Sequence, residues 1–329
     1  MVYLGGPMAA TAPSAPVPVR SPLPWSLAGR TAVILGGSSG IGLAAAELLA
    51  SVGARILLVG RDKDRLDSAL TRVTATTPHP DPANVHAAAR DTHLGAVGSH
   101  PGATGVHADT AGVHLDAAAS TPDADDAHPG TAASYADVRA MSADVTDDEA
   151  MQEVFEYAGS IDHVLVTAGY PSGIGPVAEL TRDAARTAVA APVGAVLGIV
   201  RAAVPRMEPG GSITLTSGVL VARPRPGMAA PVSAAGAVET LARALAVELA
   251  PARIRANAVR YGAIGTPLLR SRFGAPGAEG DAAMAEAGAG TPLGRFGTAE
   301  EAASAALFLM ANPYMSGEVL TVDGAQSLA

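Results

Sequence analysis

Two short runs of residues carry the clearest chemistry. Gly36-Gly37-Ser38-Ser39-Gly40-Ile41-Gly42 follows a β-branched run, Thr31 to Leu35, and opens an Ala/Leu-rich stretch of helical character. Glycines at this spacing let the backbone turn tightly and approach a pyrophosphate, whose charge rests on the free N–H groups and positive end of the following helix. The motif alone is common in ordinary turns. A strand before and a helix after make it a dinucleotide-binding signal, with Gly36, Ser38, Ser39, Gly40, Ile41 and Gly42 as candidate contacts. The second run, Leu57-Leu58-Val59-Gly60-Arg61-Asp62-Lys63, closes the next strand. A carboxylate at the position of Gly60 would hold a ribose 2′-hydroxyl. Gly60 offers none, and the cations of Arg61 and Lys63 suit a 2′-phosphate, which points to NADP(H). The competing reading is an exposed basic loop neutralised by Asp62 and Asp64.

These runs need a scaffold, and the chain supplies one by alternation. Strands are expected at Thr31 to Leu35, Arg55 to Val59, Val138 to Ala143, His163 to Thr167, Ser212 to Thr216, Arg255 to Val259 and Val319 to Val322. Helices are expected at Gly42 to Ser51, Asp62 to Val73, Asp147 to Ala158, Arg182 to Met207, Val232 to Leu249 and Ala299 to Met310. Strands and helices in turn imply βαβ units and a parallel sheet covered on both faces. The fold class is α/β, a Rossmann-type doubly wound sheet of about seven strands in a single domain. Residues 30–78 and 135–329 supply that domain. A Pro-rich head, residues 1–29, and an insertion at residues 79–134 lie outside it and are expected to be disordered.

The insertion is an internal repeat of period seven, reading HPDPANV, HAAARDT, HLGAVGS, HPGATGV, HADTAGV, HLDAAAS, TPDADDA and HPGTAAS. Its prolines and glycines argue against a helix, so the histidine row reads as a solvated expansion in a surface loop. Adventitious metal binding by clustered imidazoles is the other reading. The block holds seven Asp against Arg90 alone, and so supplies most of the net charge of −9.

Composition removes several function classes. A mildly acidic chain with 3% aromatic residues has neither the basic stripe nor the stacking platforms of a nucleic-acid binder. The absence of Cys excludes a disulfide framework, Cys-ligated zinc and a thiol nucleophile; no metal site is expected. The head lacks the basic and apolar regions of a signal peptide. The longest nearly apolar stretch, Ala188 to Val200, is short for a bilayer, so a soluble cytoplasmic protein without membrane partners is expected.

With these landmarks the sequence resembles the short-chain dehydrogenase/reductase family, its single-domain branch, over residues 27–329 apart from the repeat block. The resemblance rests on Gly36 to Gly42, Asp144-Val145, Ala168-Gly169, Asn257-Ala258-Val259 with Gly262 and Thr266, and Val322-Asp323-Gly324. It implies that Asp144 and Val145 lie at the adenine and that Ala168, Gly169, Gly262 and Thr266 lie along the cofactor towards the nicotinamide. It also implies a small-molecule substrate and a homo-oligomer, tetramer or dimer, assembled through the fourth and fifth helices.

The resemblance fails where the family does its chemistry. There a Tyr moves the proton, a Lys four residues later lowers its pKa, a Ser polarises the carbonyl and an Asn organises a water relay. Here Gly227 to Leu241 places Pro231 at the Tyr position and Ala235 at the Lys position. The Ser position falls on Gly218 and the Asn position on Ala191 or Pro192. No shift of alignment restores the pair, because Lys63 is the sole lysine of the chain. Three surrogate donors are candidates: Tyr261 before Gly262, Tyr170 after Ala168-Gly169, and Ser217 beside the lost Ser position. Their ordinary readings are a packing Tyr, a pocket-lining Tyr and a self-bonded Ser. Arg223-Pro224-Arg225-Pro226 forms a stiff cationic loop that suits a carboxylate or phosphate, or is simply solvated or inter-subunit. Residues 265–297 stand where the family has its substrate lid. The leading reading is an atypical NADPH-dependent reductase of a carbonyl or activated double bond, working without the Tyr-Lys mechanism. The alternatives are a non-redox cyclase, dehydratase or isomerase on the same scaffold, and a nucleotide-binding pseudoenzyme.

Overall fold

The computed structural model describes residues 24–76, 137–169, 171–274 and 277–329. The heptapeptide block, most of the Pro-rich head and Tyr170 lie outside the described residues. Seven strands form one parallel sheet: β1 (Thr31–Leu35), β2 (Arg55–Gly60), β3 (Val138–Ser142), β4 (Ile161–Val166), β5 (Met207–Gly218), β6 (Arg255–Tyr261) and β7 (Val319–Val322). Their order is β3-β2-β1-β4-β5-β6-β7. The order reverses between β1 and β4, so the crevice outside the carboxyl ends of these two strands is where a doubly wound sheet accepts ligands.

The helices are α1 (Pro24–Leu27), α2 (Gly40–Ala50), α3 (Lys63–Ala75), α4 (Asp148–Ala158), α5 (Arg182–Ala203), α6 (Ala229–Glu248), α7 (Pro267–Arg270), α8 (Ala278–Ala289) and α9 (Ala299–Ala311). Strand periodicity sorts the core into two layers. Val33, Leu35, Leu57 and Val59 join one cluster with Phe155 of α4, Ile199 of α5 and Leu245 of α6. Ala32, Ile34, Ile56 and Leu58 face the other way and join Leu49 of α2, Leu66 of α3 and Leu307 of α9. Such continuous apolar strands are what a parallel sheet buried on both faces requires.

The structure departs from expectation at four places. Residues 24–27 of the head form a helical turn whose Leu27 is fully buried in the second cluster, because an apolar side chain beside β1 gains more from burial than its ordering costs. Helix α6 starts at Ala229, three residues before the expected Val232, so Pro231 is its third residue; the first four N–H groups of a helix lack intrahelical acceptors, so proline costs nothing there. Helix α8 forms within residues 265–297, where alanines outweigh the glycines that suggested a loop. The helical run Arg182–Arg206 is, at 25 residues, long and apolar enough by length and composition to cross a membrane. In the fold it packs against α4 and α6, with Ala188, Val196, Ile199 and Val200 buried.

Candidate active site

The end of β1 is closed in from both sides. The N–H groups of Gly36 and Gly37 donate to the Val59 carbonyl at 2.8 and 3.1 Å, and those of Thr167 and Ala168 donate to the Leu35 carbonyl at 2.8 and 2.9 Å. This lays the segment after β4 directly on the glycine turn. Gly36 holds φ +94°, and a Cβ there would press on Thr167 Oγ1 at 2.6 Å and the Ala168 nitrogen at 2.7 Å. A Cβ on Gly42 would overlap the Gly36 carbonyl oxygen and stand 2.6 Å from Thr167 Oγ1. The glycines therefore bring the start of α2 against the end of β1, with no room for side chains between.

Asp62, Asp147, Thr181 and Thr298 cap α3, α4, α5 and α9 with their side chains. Ser39, the N-cap of α2, makes no such bond. The N–H groups of that first turn are left for an anion, and the glycine cradle brings one close, so these residues fit a pyrophosphate. Thr266 lies across the turn, its Cγ2 3.2 Å from where a Gly40 Cβ would stand. Gly36, Ser38, Ser39, Gly40, Ile41, Gly42, Ala168, Gly169 and Thr266 thus gather at the switch point. Gly262 has a different task. Its N–H donates to the Val322 carbonyl at 2.9 Å, and a Cβ would meet Asp323 Cα at 2.7 Å, so it seats the segment after β7.

At the end of β2 a Cβ on Gly60 would lie 3.1 Å from Ser38 Oγ. A side chain at this position would press on the serine. Asp62 caps α3 and pairs with Arg65 at 3.3 Å rather than neutralising its neighbours. Arg61, 65% exposed, has a loose partner in Asp144 at 3.8 Å, and Lys63 makes no ion pair among the described residues. Asp144 accepts from the Thr146 N–H at 2.9 Å and hydroxyl at 2.8 Å. Those bonds, the backbone one foremost and aided by Arg61, hold its carboxyl below the usual range despite partial burial. Val145 packs against the first core cluster.

The surrogate donors fare differently. Tyr261 is 5% exposed and belongs to the second cluster, the side of α2 and α9, away from α6. Its hydroxyl donates to the Ala302 carbonyl at 3.0 Å, and burial pushes it far above the ordinary tyrosine range. It is a core residue and not a proton donor. Ser217 does face α6, but its hydroxyl donates to Glu239 Oε1 at 2.8 Å, with the Ala235 carbonyl at 3.3 Å. The proton is held by a carboxylate and is not presented to a substrate. Tyr170 lies outside the described residues. Pro231 and Ala235, near the start of α6, carry no polar side chain, and Pro192 stands inside α5.

What the sequence reading missed is the partner of Ser217. Glu239 is 3% exposed and accepts from Arg260 Nε at 2.8 Å and Nη2 at 2.6 Å. Burial raises the Glu239 carboxyl, yet the hydrogen bonds from Arg260 and Ser217, with the guanidinium charge, outweigh it and keep the group ionised. Strand parity was the available signal: Ala256 and Ala258 pack on the α6 side, so Arg260 follows them there and Tyr261 takes the opposite face.

A glycine-turned, uncapped helix at the switch point of a doubly wound parallel sheet defines a Rossmann-type dinucleotide-binding fold. Residues 103–325 match the family profile described as enoyl-(acyl carrier protein) reductase, and residues 30–97 match that of short chain dehydrogenase. The chain belongs to the short-chain dehydrogenase/reductase family of oxidoreductases, which bind a nicotinamide cofactor. It is 27% identical over 303 residues to the short-chain dehydrogenase/reductase ATR9 of Stachybotrys chlorohalonatus, covering 91% of this chain and 97% of that one. Among solved structures it is similar to the MalC reductase/Diels-Alderase of Malbranchea aurantiaca, with TM-score 0.69 and 25% identity over 92% of this chain and 98% of that one. It is also similar to the NADPH-bound short chain oxidoreductase of Pseudomonas aeruginosa PAO1, described as containing an atypical catalytic center. There the TM-score is 0.66 and the identity 25%, over 90% of this chain and 95% of that one.

Proposed function

We propose that the chain is an NADPH-dependent reductase of a carbonyl or activated double bond in a small molecule, working without a Tyr-Lys pair. The observation that carries the reading is the glycine cradle at Gly36 and Gly42 before an uncapped helix, with Arg61 and Lys63 beside a Gly60 position closed by Ser38. Backbone N–H groups of α2 hold the pyrophosphate, the two cations hold the 2′-phosphate, and Asp144 with Val145 meets the adenine. Ala168, Gly169 and Thr266 line the way towards the nicotinamide. When bound, the reduced cofactor would supply a hydride, and the chain supplies its position.

No described side chain at positions 218, 231, 235 or 261 offers the accompanying proton. Losing a positioned acid costs about 10² to 10⁴ in rate, so the substrate is one activated enough to accept hydride first and take its proton from solvent. The reading is tested by titrating the full chain with NADPH and NADH: at least tenfold tighter NADPH is expected, and comparable or absent binding of both overturns the 2′-phosphate assignment.

A second reading is a non-redox step such as cyclisation, favoured by the apolar turn at Pro231 and Ala235 and by likeness to a protein named as both reductase and Diels-Alderase. Turnover in the absence of any nicotinamide would select it. In either case we place the protein in the cytoplasm, as a homo-oligomer joined through α5 and α6. The exposed Leu197 and Val247, 48% and 78% accessible, support that surface.

A further inference from the structure

The loop after β4 and the loop before α6 border an open cavity of about 280 Å³ that the cofactor residues do not line. Gly175, Val177, Met228, Ala229 and Val232 form much of its wall, and Arg225 is the one charged residue among those lining it. The two loops are tied where the Gly175 N–H donates to the Gly227 carbonyl at 2.8 Å. Pro224 and Pro226 fix the backbone on either side of Arg225, and the Met228 N–H donates back to its carbonyl at 3.2 Å. The cavity is therefore a preformed space rather than a gap between slack segments. Val232, which lines it, follows Pro231, the residue at the family's proton-donor position.

The two arginines of this loop are not equivalent. Arg223 donates to the Gln326 carbonyl at 3.0 Å, so its guanidinium pins the C-terminal segment, whose Gln326 Oε1 in turn accepts from the Ala263 N–H at 3.0 Å. Arg225 is exposed and has neither hydrogen bond nor ion pair among the described residues. Glu179, two residues beyond Val177, makes no ion pair either, so Arg225 is not neutralised from the opposite wall. A free guanidinium at the rim of an otherwise apolar cavity recognises a planar anion attached to an apolar body.

We infer that this cavity holds the end of the substrate remote from the reacting carbon, that Arg225 is its specificity residue, and that the substrate class is a compact apolar molecule bearing one anionic group, such as an aryl or alkyl carboxylate. The inference rests on the reductase reading only in making the cavity the substrate's, and its test separates the two. The probes are anilinonaphthalene sulfonate and its uncharged parent N-phenylnaphthylamine, titrated by fluorescence into the full chain saturated with NADPH.

Wild-type protein is expected to hold the sulfonate at least about fivefold more tightly than the parent. Arg225→Gln should weaken the sulfonate about tenfold and leave the parent unchanged, while Arg223→Gln should preserve the discrimination. Equal affinity for both probes in the wild type, discrimination that survives Arg225→Gln, or discrimination that vanishes instead in Arg223→Gln each overturns the assignment. NADPH affinity is measured in every sample. Its absence would count against the reductase reading while leaving the probe comparison intact, since Arg225 touches none of the cofactor residues.

Discussion

Arg260 grips Glu239 through two parallel bonds, Nε to Oε1 at 2.8 Å and Nη2 to Oε2 at 2.6 Å, and Ser217 donates to the same Oε1 at 2.8 Å. The three residues come from β6, α6 and β5, so the network pins α6 to the carboxyl ends of two strands one helical turn past Ala235. Where the family relies on a lysine, this chain has a neutralised carboxylate further along the helix.

The pair is nearly closed on one side: the Glu239 side chain is 4% exposed and that of Arg260 19%. Arg260→Met strands a carboxylate away from water and should lower stability by about 3 kcal/mol or more. Glu239→Gln leaves the charge on the partner that water can reach, and should cost less. Urea unfolding of both variants and of the double variant gives the coupling energy. Additive losses in the double variant would refute a direct pair.

Gly42→Ala tests the cradle. The new methyl meets both the Gly36 carbonyl oxygen and Thr167 Oγ1, and the first belongs to the backbone and cannot swing aside. The start of α2 must shift, at about 1 to 3 kcal/mol, and nucleotide affinity should fall at least tenfold as the first-turn N–H groups move. Isothermal titration with NADPH reads the second effect separately from the thermal midpoint that reads the first. Unchanged affinity would mean that the pyrophosphate lies elsewhere.

The sheet was legible from the residues because every strand is an apolar run flanked by turn or helix signals, and the phosphate turn because its glycines fall between the two. Helix α8 and the turn at Leu27 were hidden in compositions that read as loop. The catalytic surroundings were less legible for a physical reason. Tyr261 sits one residue from a family landmark, but function depends on which face of β6 a side chain takes, and alternation sends it to α9. Glu239 was passed over because a charged residue in an amphipathic helix usually faces solvent. Only its partner on β6 makes its burial tolerable.

Tyr261→Phe follows from that placement. The hydroxyl bonds the Ala302 carbonyl from within the core, so its loss should cost about 0.5 to 1.5 kcal/mol and leave turnover of any identified substrate within twofold. A variant of ordinary stability with turnover reduced a hundredfold would restore the tyrosine as acid.

Cofactor preference should be movable at one contact. Gly60→Asp alone brings a Cβ to 3.1 Å from Ser38 Oγ and should weaken both nucleotides. Ser38→Gly combined with Gly60→Asp frees the space, so that a carboxylate both binds a ribose 2′-hydroxyl and repels a 2′-phosphate. The NADPH to NADH affinity ratio should fall at least tenfold, about 1.4 kcal/mol. Parallel titrations of the two nucleotides check it, and a ratio like that of the wild type would place the ribose away from Gly60.

Acid sensitivity should trace to His163 on β4. It is 5% exposed, with Nδ1 2.9 Å from Ser212 Oγ, and burial pushes its pKa down to about 4; Asp162 opposes the shift, while Arg255 and Arg30 add to it. An unfolded histidine titrates near 6.5. Between roughly pH 6.5 and 4 the unfolded chain therefore holds a proton that the native state excludes, and stability falls as pH is lowered through that window. The full loss is about 3 kcal/mol, reached below the folded pKa. Urea midpoints at pH 7 and at pH 4.5 should differ markedly for the wild type and less for His163→Asn, which removes the titrating ring. Parallel pH profiles for the two proteins would take the acid loss away from His163; the contribution of Glu239, held below its ordinary value, is lost only as pH falls beneath the ordinary carboxylate range.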